Sequence, residues 1–267
     1  MSLIADLAEW SLLGFGFFLF VLQVVVREIG THFGVRSAQA GVTNEGVAVI
    51  VGSILGLLAF VLALTLSTAS SRYVERRAGA VEEANAIGTA WLQARALGDP
   101  SADDIAELLE EYIAVRISYV EAERGSETVQ ALSVRTAQLQ AEIWEHVSVL
   151  VRERRETTTS SLMNAVNHAF DMTTAQRFAV ALNLPDKMIW LVLAFTMIGM
   201  FALGWQLGLI GRPNRPLALL MSLLWAAVLV QILDMGTARL GNYRTDLEPY
   251  YWTIEGFTGS PEIDSRR

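Results

Sequence analysis

The sequence predicts an all-α polytopic membrane protein: four transmembrane helices, with a cytoplasmic helical bundle inserted between the second and the third. Three observations predict it. Of 267 residues, the stretches 10–26, 46–71, 188–211 and 216–233 carry no Asp, Glu, Lys or Arg. These stretches hold 85 residues; the other 182 carry all 48 charges, the 26% expected of an ordinary water-exposed domain. Between the second and third stretches, residues 72–187 contain Pro only at Pro100 and Pro185 and show helical periodicity throughout. Long apolar blocks in place of alternating ten-residue segments exclude a β-barrel. The split of charge likewise excludes a plain soluble enzyme, a disulfide scaffold and a disordered chain.

A helix crosses the hydrocarbon core with about 20 apolar residues. The second and third stretches meet this outright, and the fourth just meets it. The first reaches it if Glu9, Arg27 and Glu28 snorkel at its ends, giving spans at about 9–29 and 46–71 within residues 1–71. A signal peptide is the rival for the first span. Its n-region would be basic, whereas this one carries Asp6 and Glu9 and no Lys or Arg, and the Ala38-Gln39-Ala40 triplet lies too far downstream to be its cleavage site. Residues 188–234 supply the other two spans, and 235–267 form a cytoplasmic tail.

Four spans put both termini and the central segment on one side. Arg72, Arg76, Arg77, Arg177, Lys187, Arg239 and Arg244 flank that side, against Arg27, Arg36, Arg212 and Arg215 on the other. Seven against four places the central segment in the cytoplasm. The lack of Cys decides no compartment.

The second span carries a row of small residues, Gly52, Gly56, Ala59 and Ala63, continued by Ser67. Such a row lets helix backbones approach closely, either within one subunit or around a shared axis in an oligomer. Gly199, Gly204 and Gly208 in the third span can be read the same way. Thr65, Ser67, Thr68, Ser70 and Ser71 would line a wet vestibule or bond back to the preceding turn. No ionisable residue lies deep inside any predicted span, and Asp234 stands only at the end of the fourth. Pumps and proton-coupled carriers use intramembrane charge, whereas a passive pore can gate by hydrophobic constriction.

In the central segment, the first helix continues from the second span to about Gly98-Asp99-Pro100. Ser101 with Asp104 forms a capping-box variant that opens the next, whose apolar face is Ile105, Leu108, Leu109, Tyr112, Ile113, Tyr119 and Val120. Gly125-Ser126 is the turn. The third helix shows Leu132, Leu139, Ile143, Val147 and Leu150 near heptad spacing, which suits a bundle core or a docking stripe for a partner. The fourth runs from about Thr158 to Leu184 and feeds the third span through Pro185. The segment 72–187 has 12 basic and 18 acidic residues, a net of −6, which argues against a nucleic-acid partner.

Arg72, Arg76 and Arg77 serve as positive-inside anchors or as a ring of charge at a pore mouth. Asn85, and Asn164, Asn167 and Asp171 beside His168, read as polar residues on bundle faces. They would pair across helices, or line an ion vestibule or a site for a hard cation such as Ca2+. No loop has EF-hand spacing, so no metal site or other cofactor is identified. No phosphate-cradling glycine loop, Cys/His cluster or Gly-x-Ser-x-Gly turn is present, and the reading is of a non-enzyme.

The run Ser71-Arg72-Tyr73 through Glu75-Arg76-Arg77, followed by Glu82-Glu83-Ala84-Asn85-Ala86-Ile87-Gly88-Thr89-Ala90, resembles the signature of a bacterial membrane family called bestrophin-like. So do Asn167 with Asp171 and Arg177, Pro185 ahead of Trp190, and Leu233-Asp234 followed by Arg239-Leu240-Gly241. The resemblance implies a pentameric anion channel of the bacterial inner membrane, with both termini cytoplasmic and the second helix lining the pore. Its partners would be the lipid bilayer, further copies of itself and small inorganic ions. The pore-lining candidates are then Ile54, Leu57, Leu58, Phe60, Val61 and Leu64. The aromatic pore neck and the acidic calcium clasp of animal bestrophins are not recognisable here. The net negative central segment pulls mildly toward cations. A membrane-anchored helical scaffold that binds a protein partner is the alternative.

Overall fold

The computed structural model describes residues 12–122, 126–182, 184–211, 214–238 and 243–258. Trp10, the turn residue Gly125, Arg212, the segment 239–241 and the end of the tail lie outside the described residues. Among the described residues all regular structure is helical: α1 (Leu12–Gln39), α2 (Asn44–Ala96), α3 (Pro100–Glu121), α4 (Glu127–Glu153), α5 (Thr157–Ala181), α6 (Asp186–Ile210), α7 (Arg215–Gly236) and α8 (Glu248–Thr258). Four helical stretches are long and apolar enough to cross a membrane: α1, α2, one containing α6, and α7. The chain divides into two compact units, one built from residues 1–73 and 183–243, the other from 74–182 and 244–267. Helix α8 thus belongs to the second unit.

In the first unit, α1 and α6 run parallel with their backbones in contact. A Cβ added at Gly30 would meet the Phe201 carbonyl, and one at Gly34 the Trp205 carbonyl. Reciprocally, a Cβ at Gly204 would meet the Arg27 carbonyl and one at Gly208 the Thr31 carbonyl. The contacts advance in step along both helices, as a four-residue spacing of glycines on each side permits. Gly30 and Gly34 lie past the predicted end of the first span, because α1 continues to Gln39. Arg27 is accordingly not a snorkelling end group. It lies inside the helix, buried, with Nη2 2.9 Å from Glu28 Oε1. The stretch 10–26 remains free of charge, and the Arg27–Glu28 pair lies within the same helix beyond it. Phe15, Leu19, Leu58, Leu62, Val192, Leu229 and Ile232 belong to this unit's apolar core.

The second unit has its own core, formed mainly by Ala84, Ile87, Ile105, Leu109, Ile113, Leu139, Ile143, Val147, Leu150, Leu162 and Val166. Leu139, Ile143, Val147 and Leu150 are therefore interior positions of the bundle, which removes them as a docking stripe. Local chemistry sets the helix starts. Asp99, rather than Ser101 with Asp104, caps α3: its side chain accepts from Ser101 N at 2.9 Å, ahead of Pro100 in the first turn. The Ser126 hydroxyl accepts from Val129 N at 3.3 Å to open α4. Glu156 and Thr159 form a capping box on α5.

Candidate pore-facing surface and its buried anchor

Helix α2 presents one face to the chain's own cores and leaves another uncovered. In the first unit, Val51, Leu58, Leu62, Thr65 and Ala69 are buried. Gly52, Gly56, Ala59 and Ala63 all lie on the exposed side, and a Cβ added at Gly52 or Gly56 would meet nothing within 4 Å. Among the described residues nothing covers Gly52 or Gly56, and Ala59 and Ala63 are exposed beside them. Of the pore-lining candidates, Leu57, Phe60 and Leu64 are 54, 60 and 51% exposed, whereas Ile54 and Val61 are half-buried. Leu58 is 1% exposed and its Cδ2 lies 3.1 Å from where a Cβ on Gly199 would stand, so it belongs to the core and not to any lining. Thr65 Oγ1 donates to the Val61 carbonyl at 2.7 Å and Thr68 Oγ1 to the Leu64 carbonyl at 3.0 Å. These two hydroxyls bond back to the preceding turn.

In the second unit the same helix separates into an inner line, Arg76, Ala80, Glu83, Ile87, Ala90 and Ala94, and an outer line, Ala78, Glu82, Asn85, Thr89 and Leu92. Arg76 is buried, and its carbonyl accepts from Gln176 Nε2 at 3.1 Å. Burial inside the bundle takes Arg76 out of any exposed ring of charge. Arg77 is exposed and pairs with Asp246 at 3.2 Å; Arg72 is half-buried. Asn85 and Thr89 face an open trough of about 520 Å³ with Glu82, Ala165, His168 and Met172, and they also line a neighbouring one of about 310 Å³ with Trp91, Leu92 and Phe257. Asn164, Asn167 and Asp171 are exposed rather than interior, and Asn167 Nδ2 donates to Asp171 Oδ2 at 3.4 Å along one helix. The expected cross-helix pairing of this row is replaced by a surface polar face. No group of three or more His, Cys, Asp or Glu that could hold a metal ion occurs among the described residues.

Behind the outer line lies a polar cluster whose centre, Glu83, Arg116, Tyr112, Thr173 and Tyr250, is fully buried. Glu83 Oε1 accepts from Arg116 Nε at 2.6 Å and from Thr173 Oγ1 at 2.8 Å, and Oε2 accepts from Tyr250 OH at 2.5 Å. Tyr112 OH donates to Thr173 Oγ1 at 2.8 Å and accepts from Gln140 Nε2 at 2.8 Å. The Arg116 guanidinium carbon sits 4.5 Å from the Tyr119 ring centroid, a cation–π distance. One carboxylate thereby ties together side chains of α2, α3, α4, α5 and α8. A buried charge persists only with a partner and further hydrogen bonds, and Glu83 has both. Burial opposes the Arg116 charge, but the adjacent Glu83 carboxylate outweighs it and raises the guanidinium pKa. Burial pushes the Tyr112 phenol up to about 12. Burial, reinforced by Glu83, also raises Tyr250 far above the ordinary phenol value.

A model of the bestrophin-like domain matches residues 17–250. The chain belongs to the bestrophin-like family. Among solved structures, it is similar to a variant of the bacterial bestrophin homologue from Klebsiella pneumoniae with one leucine replaced by threonine. That match has a TM-score of 0.70 and 15% identity, covering 92% of this chain and 99% of that one. A second crystal structure of the Klebsiella pneumoniae homologue aligns with a TM-score of 0.69 and 14% identity, over 91% of this chain and 98% of that one. A structure described as a membrane protein aligns with a TM-score of 0.64 and 16% identity over 92% and 98%. Identities this low establish the shared fold. No curated protein matches the chain.

The bestrophin-like signature Glu82–Ala90 now has a physical reading. Glu83, Ala84, Ala86, Ile87 and Ala90 are buried, Asn85 and Thr89 face the troughs, and a Cβ on Gly88 would stand 3.0 Å from Thr253 Cγ2. The segment is small where helices close and polar where the surface is open. Sequence reasoning missed Glu83, Arg116 and Tyr250 as one cluster. A signal was present: Leu109, Tyr112, Arg116 and Tyr119 follow core spacing on α3, which puts a cation on an apolar face.

Proposed function

We propose that this bestrophin-like protein is a homo-oligomeric channel, pentameric by analogy with bestrophins, that passes small inorganic ions passively along an axis surrounded by α2. The observation that carries this reading is the uncovered row Gly52, Gly56, Ala59 and Ala63. The chain seals its α1–α6 glycines against one another, yet it leaves Gly52 and Gly56 facing open space and Ala59 and Ala63 exposed, on the helix that holds its most apolar membrane-length stretch. Further copies of α2 would cover the row, with Leu57, Phe60 and Leu64 as constriction candidates. The second unit would stand in the cytoplasm with both termini, as the Lys/Arg distribution favours, in a bacterial inner membrane. Family membership supports a channel over an enzyme. Anion selectivity is favoured by the resemblance to bestrophins; the net charge of −6 over residues 72–187 pulls the other way. A Ca2+ site on the exposed row Asn164, Asn167 and Asp171 stays a weaker proposal, to be read by titrating Ca2+ against the current. The scaffold alternative loses its main support with the burial of the α4 seam.

The test is purified protein reconstituted into planar bilayers, with native mass spectrometry of the same preparation. The expected result is a closed oligomer and a current whose reversal potential in a salt gradient gives the sign of the ion. A monomer, or bilayers silent across ions and voltages, overturns the reading.

A further inference from the structure

We propose that α8 is a strap that docks along the second unit's stretch of α2 and holds that stretch in place, anchored by the Tyr250 hydroxyl on Glu83. The contacts run in step along both segments. Asp246 pairs with Arg77 at 3.2 Å, Tyr250 reaches Glu83, Thr253 lies against Gly88 and donates to the Ala84 carbonyl at 3.4 Å, and Phe257 stacks on Trp91 with centroids 4.6 Å apart. Tyr250, Thr253 and Phe257 follow helical spacing and form one stripe.

The strap is built to hold and to release. Only Pro249 and Tyr250 of α8 are buried, while Tyr251 and Trp252 are 45 and 61% exposed. An element with few buried contacts opens locally well before the whole unit unfolds. Release leaves the charge pair intact, because Arg116 and Thr173 both hold Glu83 Oε1, while Oε2 exchanges Tyr250 for water. Docking, by contrast, gives a fully buried carboxylate a further donor and closes the face of α2 between Arg77 and Trp91. The regulatory consequence rests on the reading of α2 as the conducting helix: α2 is continuous from Asn44 to Ala96, so the state of the strap would bias how readily that helix moves.

The experiment is hydrogen–deuterium exchange on the full-length protein in lipid nanodiscs, paired with bilayer currents. Tyr250→Phe keeps the ring and removes the anchor. It should speed amide exchange in residues 248–258 at least about tenfold, as loss of a hydrogen bond to a charged group implies. It should also speed exchange over 77–92 and change the open probability. Phe257→Ala should act in the same direction, and Trp252→Ala should leave exchange unchanged. Exchange in α8 that is identical in wild type and both anchor variants overturns the strap. So does loosening of α8 with no response over 77–92, since nothing is then held. A full exchange response with unaltered currents overturns the regulatory part. A silent wild type that still shows the exchange response overturns the conduction reading and leaves the strap standing.

Discussion

Two glycine rows in the first unit share a spacing and have opposite fates. Gly30 and Gly34 on α1 face Gly204 and Gly208 on α6, and each position is filled by the partner backbone. Gly52 and Gly56 on α2 have the same four-residue interval, and nothing stands near them. Small-residue spacing therefore says that a backbone can be approached, but not by what. Sealed glycines serve the fold of one chain; open glycines are available to other copies. The contrast extends along α2, where Glu83 is sealed and its neighbours Glu82 and Asn85 are open.

The strongest way to break the comparison is to fill both rows. Gly204→Leu should abolish the monodisperse folded protein in size-exclusion chromatography. The obstacle is the Arg27 backbone rather than a flexible side chain, so the cost exceeds the roughly 1–3 kcal/mol of ordinary overpacking. Gly56→Leu should leave the fold of the single chain intact and instead alter the oligomer seen by native mass spectrometry. Equal damage from both would erase the distinction.

A smaller effect is expected across the sealed and open lines of the second unit. Glu83→Ala leaves Arg116 buried without its carboxylate and should cost about 3–5 kcal/mol, read as a lowered thermal midpoint. Asn85→Ala, two residues away on the open line, should stay within about 0.5 kcal/mol. Matching losses would show that the outer line is also buried in the working protein, for instance by another copy.

The smallest effect is an alkaline one, and it asks whether the sealed cluster stays dry. The Tyr112 phenol titrates near 10 when unfolded and is pushed up to about 12 in the fold. Its contribution is complete below pH 10 and is lost as pH rises through about 12, a span of roughly 2–3 kcal/mol. Thermal midpoints should fall over that window, and Tyr112→Phe should flatten the fall. A wild-type profile no steeper than that of the variant would mean that water reaches the cluster.

Much of this architecture was legible in the sequence because its signals are local. Charge-free stretches marked the apolar spans, Gly98-Asp99-Pro100 marked a helix boundary, and the apolar spacing of Leu139, Ile143, Val147 and Leu150 marked the α4 core. The rest depended on contacts between distant segments. Gly30 and Gly34 were hidden because Arg27 and Glu28 look like the end of a span, although Arg27 is buried against α6. Glu83 was hidden in a Glu82-Glu83 pair that reads as a solvated face until Arg116, 33 residues later, and Tyr250, 167 residues later, are brought to it. The polar row Asn164, Asn167 and Asp171 misled in the other direction, because amides on a bundle helix suggest an interior, and this row faces out.

The length of α2 has a mechanical consequence. The 30 residues of α2 that belong to the first unit, 44–73, make a helix of roughly 45 Å at about 1.5 Å per residue, longer than the roughly 30 Å of a hydrocarbon core. A lever that long converts angle into distance: pivoting it by about 5° at one end sweeps the other by roughly 4 Å. Slight rocking at Tyr73 would thus arrive at Gly52, in the same unit, as a displacement of about 3 Å, comparable to the width of a bare ion.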